Sequence, residues 1–370
     1  MLLIEVLLYS FIFFVAIQLI YYGLIFGKFA VYQPKSPNQK NIGVSVLICA
    51  KNEAANLRKN LQSIIDQKYP KFEIVLINDN SSDESLSIMK GFASESPHVK
   101  IVDVKPVEKF WGNKKYALTL GIKAATYDYL LFTDADCKPV SQYWISEMSK
   151  HFSNQKSLII GYSPYRKIKR SVLNLLIRFE TLMTAVQYFS YARLGIPYMA
   201  VGRNLAYKRG LFFETSGYMD HMDIKSGDDD LFVNQVATRE NTALCISSSS
   251  FMESEPKTKF KDWITQKRRH ISTANHYKVH HKLLLGLFYL SQIAFWSLGT
   301  ALILSLFKWQ LVITLIILRF SVQYISLFSC YKKLGDINII FWLPMLEFLL
   351  ILIQFFIFIQ NLISKPQHWK

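Results

Sequence analysis

Tyr129-Leu-Leu-Phe-Thr-Asp-Ala-Asp-Cys137 is the stretch on which the fold turns. Tyr129 to Thr133 is a short apolar run between polar flanks, the pattern of a buried strand. Asp134 and Asp136 stand where that strand would run out. Residues two apart in extended backbone point to one side, so both carboxylates are expected to face a single ligand. Hard oxygen donors suit a divalent metal such as Mg²⁺ or Mn²⁺, which keeps several waters and completes its shell with substrate phosphates. Ligands of open α/β sheets gather at the carboxyl ends of strands, where this pair would lie. Taken alone, two solvated turn aspartates would account for the same pattern, so the weight falls on what surrounds it.

Upstream, Val44 to Ala50 is expected to be a buried strand, followed by Lys51-Asn-Glu53 and a helical pattern through Gln67 that Tyr69-Pro70 stops. Phe72 to Ile77 is a second strand, ending in Asn78-Asp-Asn-Ser-Ser-Asp83, whose serines and aspartates can cap a helix running to about Ala93. Val99 to Val104 is a third strand, Lys114 to Ala125 a helix, and Tyr129 to Thr133 the fourth strand. This alternation predicts an α/β fold, a mostly parallel sheet with helices on both faces. No G-x-G-x-x-G or G-x-x-x-x-G-K-[ST] follows the first strand, which argues against dinucleotide and P-loop chemistry.

The 370 residues are 51% apolar, with mean hydropathy +0.16: too apolar for an ordinary soluble domain, too polar for a full transporter. The apolar residues concentrate at the ends. Leu2 to Phe26 is long enough to cross a bilayer and lacks a basic leader or small-residue cleavage site, so a retained anchor is expected rather than a signal peptide. Leu283 to Phe307, Gln310 to Cys330 and Ile337 to Ile363 are three further candidate spans. Arg319, Glu347 and Gln354 lie inside the last two, and an Arg319–Glu347 pair between neighbouring helices is one expectation. The layout expected is a transmembrane helix over 1–27, a linker over 28–43, a hydrophilic central domain over 44–282 (halves 44–137 and 138–282), three transmembrane helices over 283–363 and a tail over 364–370. Ser171 to Leu194 carries Val172, Leu175, Leu176, Phe179, Leu182 and Met183 on one helical face, which fits either a helix lying on the membrane or a plain core helix.

The formal net charge is +16, with most basic residues in the central region. The positive-inside rule places that region in the cytoplasm, and Lys332-Lys333 falls on the same side in a four-span layout. A multi-pass protein of a bacterial inner membrane is expected. Anionic membrane lipids are the simpler partner for the basic excess; no aromatic-plus-basic signature of RNA recognition occurs, so no nucleic acid is expected. Four scattered cysteines fit a reducing compartment. His270, His276, His280 and His281 lack zinc-site spacing and are expected at the membrane interface.

Val-Ser-Val-Leu-Ile-Cys-Ala-Lys-Asn-Glu53, Ile77-Asn-Asp-Asn-Ser-Ser-Asp83, Gly112-Asn-Lys-Lys-Tyr-Ala-Leu118 and Thr133-Asp-Ala-Asp136, in that order and spacing, resemble glycosyltransferase family 2 over about Val44 to His270. The resemblance implies a GT-A nucleotide-sugar-binding fold, a nucleotide-diphosphate-sugar donor, a divalent metal and inversion in one displacement. By the same resemblance, Asp79 contacts the nucleobase, Glu53 lies near the nucleoside, Lys114 near the donor, Asp134 near sugar or ribose, and Asp136 ligates the metal. A carboxylate facing a uracil N–H is sound chemistry, because an acceptor-only group selects a donor edge. Ser226-Gly-Asp-Asp-Asp-Leu231 is similar to the family's acidic acceptor motif, which makes Asp228 the base and Asp229 the runner-up. Adjacent carboxylates raise the pKa of at least one of them, and they also suit the positive end of a helix dipole.

Gly202-Arg203-Asn204 is similar to a stretch beside the donor sugar. Gln266-Lys-Arg-Arg269-His270 resembles the family's Q-x-x-R-W, with His270 in place of Trp; Arg269 would meet the leaving diphosphate. A basic patch on the bilayer surface is the plainer reading of Lys267 and Arg268. The expectation is a metal-dependent inverting transferase acting on a lipid or membrane-tethered glycan acceptor. A processive polysaccharide synthase and a silent nucleotide-sugar- or lipid-binding scaffold are the rivals.

Overall fold

The computed structural model describes residues 2–34, 37–105, 114–224 and 226–364. Gly112 and Asn113 of the third motif, part of the linker and the tail from 365 lie outside the described residues. The chain begins with α1 (Leu2–Leu19), a π-helical stretch Ile20–Ile25 and α2 (Phe26–Ala30). There follow β1 (Val44–Ala50), α3 (Ala54–Ile65), β2 (Phe72–Asp79), α4 (Ser85–Glu95), β3 (Val99–Val104), α5 (Lys114–Ala124) and β4 (Tyr129–Asp134). Next are β5 (Cys137–Pro139), α6 (Trp144–Ser149), β6 (Leu158–Ile160), α7 (Val172–Arg193), β7 (Leu205–Lys208), α8 (Arg209–Glu214) and α9 (Asp230–Val236). β8 (Thr242–Leu244), β9 (Met252–Ser254), α10 (Phe260–Thr273), α11 (Val279–Leu304), α12 (Trp309–Lys333) and α13 (Leu343–Ile363) complete it.

Seven strands form one mixed sheet in the order β3-β2-β1-β4-β7-β6-β8, and β5 pairs with β9 beside it. β1 runs parallel to β2 and β4, whereas β7 is antiparallel to β4 and β6. Alternation within the apolar strands explains the layering. Val44, Val46 and Ile48 pack with Leu57, Leu61 and Ile64 of α3 and Trp144 of α6; Leu47, Val75, Ile77 and Phe132 pack on the other face with α5 and α7. Register then fixes the site: Ala50 pairs with Asn78 and Cys49 with Asp134, so β1, β2 and β4 end together.

The two aspartates of the opening stretch are reached differently from the sequence expectation. Asp134 ends β4, but Ala135 and Asp136 form a turn rather than extended backbone. Asn60 of α3 donates to the Ala135 carbonyl at 3.0 Å, closing that turn so the chain can enter β5.

Among the described residues, four helices are long and apolar enough to cross a membrane: Leu2–Ala30, Val279–Leu304, Trp309–Lys333 and Ile337–Ile363. The second begins four residues before the expected Leu283. Its first turn contains a buried His281 against Asn234 (3.0 Å), a polar contact that hydropathy does not register. Arg319 pairs with Glu347 and also donates to Gln18 (2.7 Å), while Gln323 donates to Glu347 (2.8 Å) and Tyr22 (3.0 Å). Arg319 and Glu347 are almost fully buried.

Helix α7 joins the two regions. Ser171 caps it by accepting from the Asn174 N–H (3.1 Å), and its buried residues run nearly all round: Ile177, Phe179, Leu182, Val186, Tyr188, Phe189. Phe189 stacks on Phe29 of α2 with ring centroids 5.0 Å apart, and Arg178 donates to Asp336 between α12 and α13 (2.7 Å). Enclosed in this way, the segment packs as a core helix. One apolar cluster thus runs from the sheet through α7 into the long apolar helices.

Candidate active site

Asp79 ends β2 with 6% exposure, and its Oδ2 has no hydrogen-bond partner among the described residues. Burial pushes its carboxyl up, against the pull of Lys51 and Lys114. Capping falls elsewhere: Asp83 accepts from the N–H groups of Ser85 (2.9 Å) and Ala54 (3.1 Å), leaving Asp79 for a ligand. Asn52 and Asn80 adopt positive φ, and the Ser82 N–H donates to Asn52 at 2.8 Å, so the loops after β1 and β2 brace one another. Glu53 opens α3, where its carboxylate accepts from Asn56 (2.5 Å).

Lys114, the first residue of α5, is the electrostatic centre. Its ammonium meets Asp134 at 3.0 Å and Asp228 at 2.9 Å. Burial opposes its charge, but those two carboxylates outweigh burial and hold its pKa well above the ordinary value. Burial would likewise raise Asp228; the Lys114 ammonium reverses this and holds that carboxyl below its usual range. Asp136 is pushed up by burial and by Asp134, against Arg203.

The three successive aspartates take three roles. Gly227, at φ +94°, turns the chain so that they enter α9. Asp229 accepts from the Gly202 N–H (2.6 Å) and the Asp230 N–H (2.7 Å); burial, then Asp228 and Asp230, push its pKa to about 7. Asp230 accepts from Tyr277 (2.6 Å), from Thr273 and from the Leu231 N–H (2.8 Å). Both oxygens of Asp229 and of Asp230 are therefore committed to the fold, whereas Asp228 holds an ion pair that a ligand can exchange.

Arg203 lies in a short 3₁₀ turn with its guanidinium 4.5 Å from the Tyr165 ring centroid, and its Nη1 is buried without a hydrogen-bond partner among the described residues. Neighbouring Asn204 locks the turn by donating to the Tyr162 and Ser250 carbonyls, both at 2.7 Å. On α10, Gln266, Arg269 and His270 line the same cavity. His270 is solvent-exposed within the cavity, and the surrounding protein, then the Lys267 and Arg269 cations, lower its pKa. The adjacent basic residues are fixed: Lys267 pairs with Glu180 (2.5 Å), and Arg268 donates to Asn361 (2.9 Å) and Ser364 (2.8 Å) at the end of α13. A cation there also complements the negative end of the helix dipole.

One cavity of about 1130 Å³ gathers Glu53, Asp79, Lys114, Asp134, Asp136, Arg203, Asp228, Asp229, Gln266 and Arg269. It also includes Lys51, Tyr165, Glu180 and Lys257, which motif reading passed over, and side chains of α11 and α13. Lys51 lies inside a quoted motif but was given no role there; Glu180 gave no signal beyond being an acid on an apolar helix. No group of three or more His, Cys, Asp or Glu side chains able to hold a metal occurs among the described residues. Asp134 and Asp136 both line the cavity, near enough for the Asp134 charge to raise the Asp136 pKa.

Residues 45–215 match the family model described as "Glycosyl transferase family 2". The chain is 32% identical over 149 residues to a poly-β-1,6-N-acetyl-D-glucosamine synthase of Staphylococcus epidermidis, covering 40% of this chain and 34% of that protein. It is 28% identical over 231 residues to the probable glycosyltransferase YdaM of Bacillus subtilis, covering 56% and 54%. It thus spans about a third to a half of the length of these curated relatives. Among solved structures, a mannosyltransferase of Pyrobaculum calidifontis in complex with GDP-Man and Mn²⁺ superposes with a TM-score of 0.60 at 18% identity, over 90% of this chain and 98% of that one.

Proposed function

We propose that this chain, a glycosyltransferase belonging to family 2, moves one sugar from a nucleotide-diphosphate donor to a hydroxyl of a membrane-held acceptor, with inversion. Its catalytic domain has the GT-A fold. The observation that carries the reading is the single cavity in which Asp79, the Asp134–Asp136 pair, Lys114 and Asp228 meet.

Asp79 receives the nucleobase. Its buried, unpartnered oxygen accepts from an imide N–H, which favours a uridine donor. Arg203 and Arg269 face the diphosphate, where guanidinium groups complement phosphate oxygens. The Asp134–Asp136 pair fits a divalent cation: two hard donors with no third protein ligand suit an ion that fills its shell from diphosphate and water. When bound, that cation supplies charge neutralisation to the departing nucleotide. Asp228 takes the acceptor proton. Its partner Lys114 also reaches Asp134 on the donor side, so a diphosphate arriving there competes for the ammonium and loosens its hold on the base. Asp229, with both oxygens on backbone N–H groups, positions the turn. The basic central region and the four apolar helices support a cytoplasmic catalytic face on a multi-pass membrane protein.

The test is nucleotide release by detergent-solubilised protein with native lipid extract, across UDP- and GDP-sugars, with Mn²⁺ or EDTA. Release from one donor, abolished by EDTA and reduced by roughly 10²–10⁴ in Asp136→Ala and Asp228→Asn, is the expected result. Binding without turnover across the panel would overturn the transferase and leave a scaffold. The similarity to poly-β-1,6-N-acetyl-D-glucosamine synthases favours a second reading, repeated addition to a growing glycan. Product length distinguishes it: one added sugar against a ladder.

A further inference from the structure

The active-site cavity continues past the catalytic domain into the membrane region, where Leu285 and Phe288 of α11 and Leu350, Ile353 and Ile357 of α13 line it. Its volume, about 1130 Å³, exceeds the about 300–1,000 Å³ of sites for one small ligand, so there is room beyond the donor. Helix geometry gives the depth. α11 starts at the catalytic domain, where the Lys278 N–H donates to Asn234 (2.9 Å), and Gln292 lies about 20 Å further along at 1.5 Å per residue.

Polar groups at that depth are already engaged. Gln292 donates to Glu347 (3.2 Å), Gln323 donates to Tyr22 (3.0 Å), and Tyr289 donates to the Ile351 carbonyl (3.2 Å). The wall left facing the space is mainly aliphatic and aromatic, with Gln354 adding one amide. A glycan seated there would leave most of its hydroxyls unpaired, whereas an alkyl chain gives up only contact with water. Between this arm and Asp228 the wall turns polar, through Glu180, Thr184, Gln187 and Lys267. We infer that the arm seats the aliphatic tail of the acceptor, and that the acceptor is a lipid whose headgroup hydroxyl meets Asp228 while its tail stays at membrane depth. This rests on the transferase reading above and names its acceptor class.

The experiment uses the full chain in nanodiscs with a radiolabelled sugar donor, Mn²⁺ and total lipid extract, and partitions product between organic solvent and water. Label is expected in the organic phase. Ile353→Trp, which fills the arm, is expected to raise the acceptor KM at least tenfold, while Leu352→Trp, on the exposed side of α13, leaves it unchanged. Should Ile353→Trp fail to fold, n-alkanols of increasing length serve as probes: competitive inhibition of the unmodified protein is expected to tighten with each added carbon until the arm is full. Inhibition independent of length, or label transferred mainly to water-soluble glycan, would overturn the lipid acceptor alone. Absence of donor turnover under every condition would instead overturn the transferase.

Discussion

Lys115 illustrates how a residue outside every quoted role can control one that has a role. It is 1% exposed and donates to the carbonyls of His221 (2.6 Å) and Ile224 (2.9 Å), just ahead of the turn that delivers Asp228. Burial brings its pKa down to about 8. Lys115→Met leaves two carbonyls unpaired at a cost of about 1–3 kcal/mol. The expected signature is a lower thermal midpoint with a kcat loss larger than any change in donor KM. The acids titrate in the opposite sense from the usual salt-bridged case. Asp79, Asp136, Asp229 and Asp230 are all raised, chiefly by burial, so the folded state binds more protons than the unfolded one. Their contribution is therefore most favourable in acid and is lost as pH rises from about 4 through the folded values, for Asp229 about 7. Asp228, held low, contributes in the other direction, above about pH 4. Burial lowers His151 and His221 to about 4, which favours the folded state as pH rises and opposes that trend. Relative to the unmodified protein, Asp229→Asn is therefore expected to gain thermal midpoint at about pH 7 over about pH 5, and an unchanged difference would refute the assignment. The clustering of Asp79, Asp134, Asp136 and Asp228 could be anticipated from ordered motifs. The partners of Asp230, Tyr277 and Thr273, could not, because hydrogen bonds spanning more than forty residues leave no local pattern.

At the level of elements, the strands of the first half were legible, whereas β5, β6, β8, β9 and the turns were not. β1 falls where its apolar run predicts it, since a strand covered on both faces has little alternative, and β3 matches its expected bounds at the sheet edge. The turn at Ala135-Asp136 escaped notice because Asn60, which closes it, sits on another helix. Gly227 shows what such a turn demands. At φ +94° a side chain is strained, and a Cβ there would lie 2.4 Å from Leu231 Cδ1. Gly227→Ala is expected to cost about 1–2 kcal/mol, seen as a lower thermal midpoint, and to reduce transfer more than that loss implies by displacing Asp228. Helix α7 was open to two readings because its apolar face suits either a membrane surface or a core; the ion pair of Arg178 with Asp336, 158 residues away, carries information that composition lacks.

For the molecule as a whole, the sheet domain and the long apolar helices share one apolar cluster, so their stabilities are linked. The Arg319–Glu347 pair was foreseeable as two opposite charges in adjacent apolar runs; its extension to Gln18, Tyr22 and Gln323 was not. Removing one member strands a buried charge. Glu347→Leu is expected to cost about 3–5 kcal/mol, and Arg319→Leu with Glu347→Leu together much less. Steady-state membrane levels and detergent melting curves would check both; equal damage from single and double variants would refute the pairing.

The reach of that network also sets a timetable for biogenesis. Gln18 and Arg319 are 301 residues apart, so at about 5–20 residues/s the first helix waits roughly 15–60 s before its guanidinium partner is made. A chain stalled after Arg319 and before Glu347 would hold the arginine without its carboxylate, and is expected to be turned over faster than the complete protein.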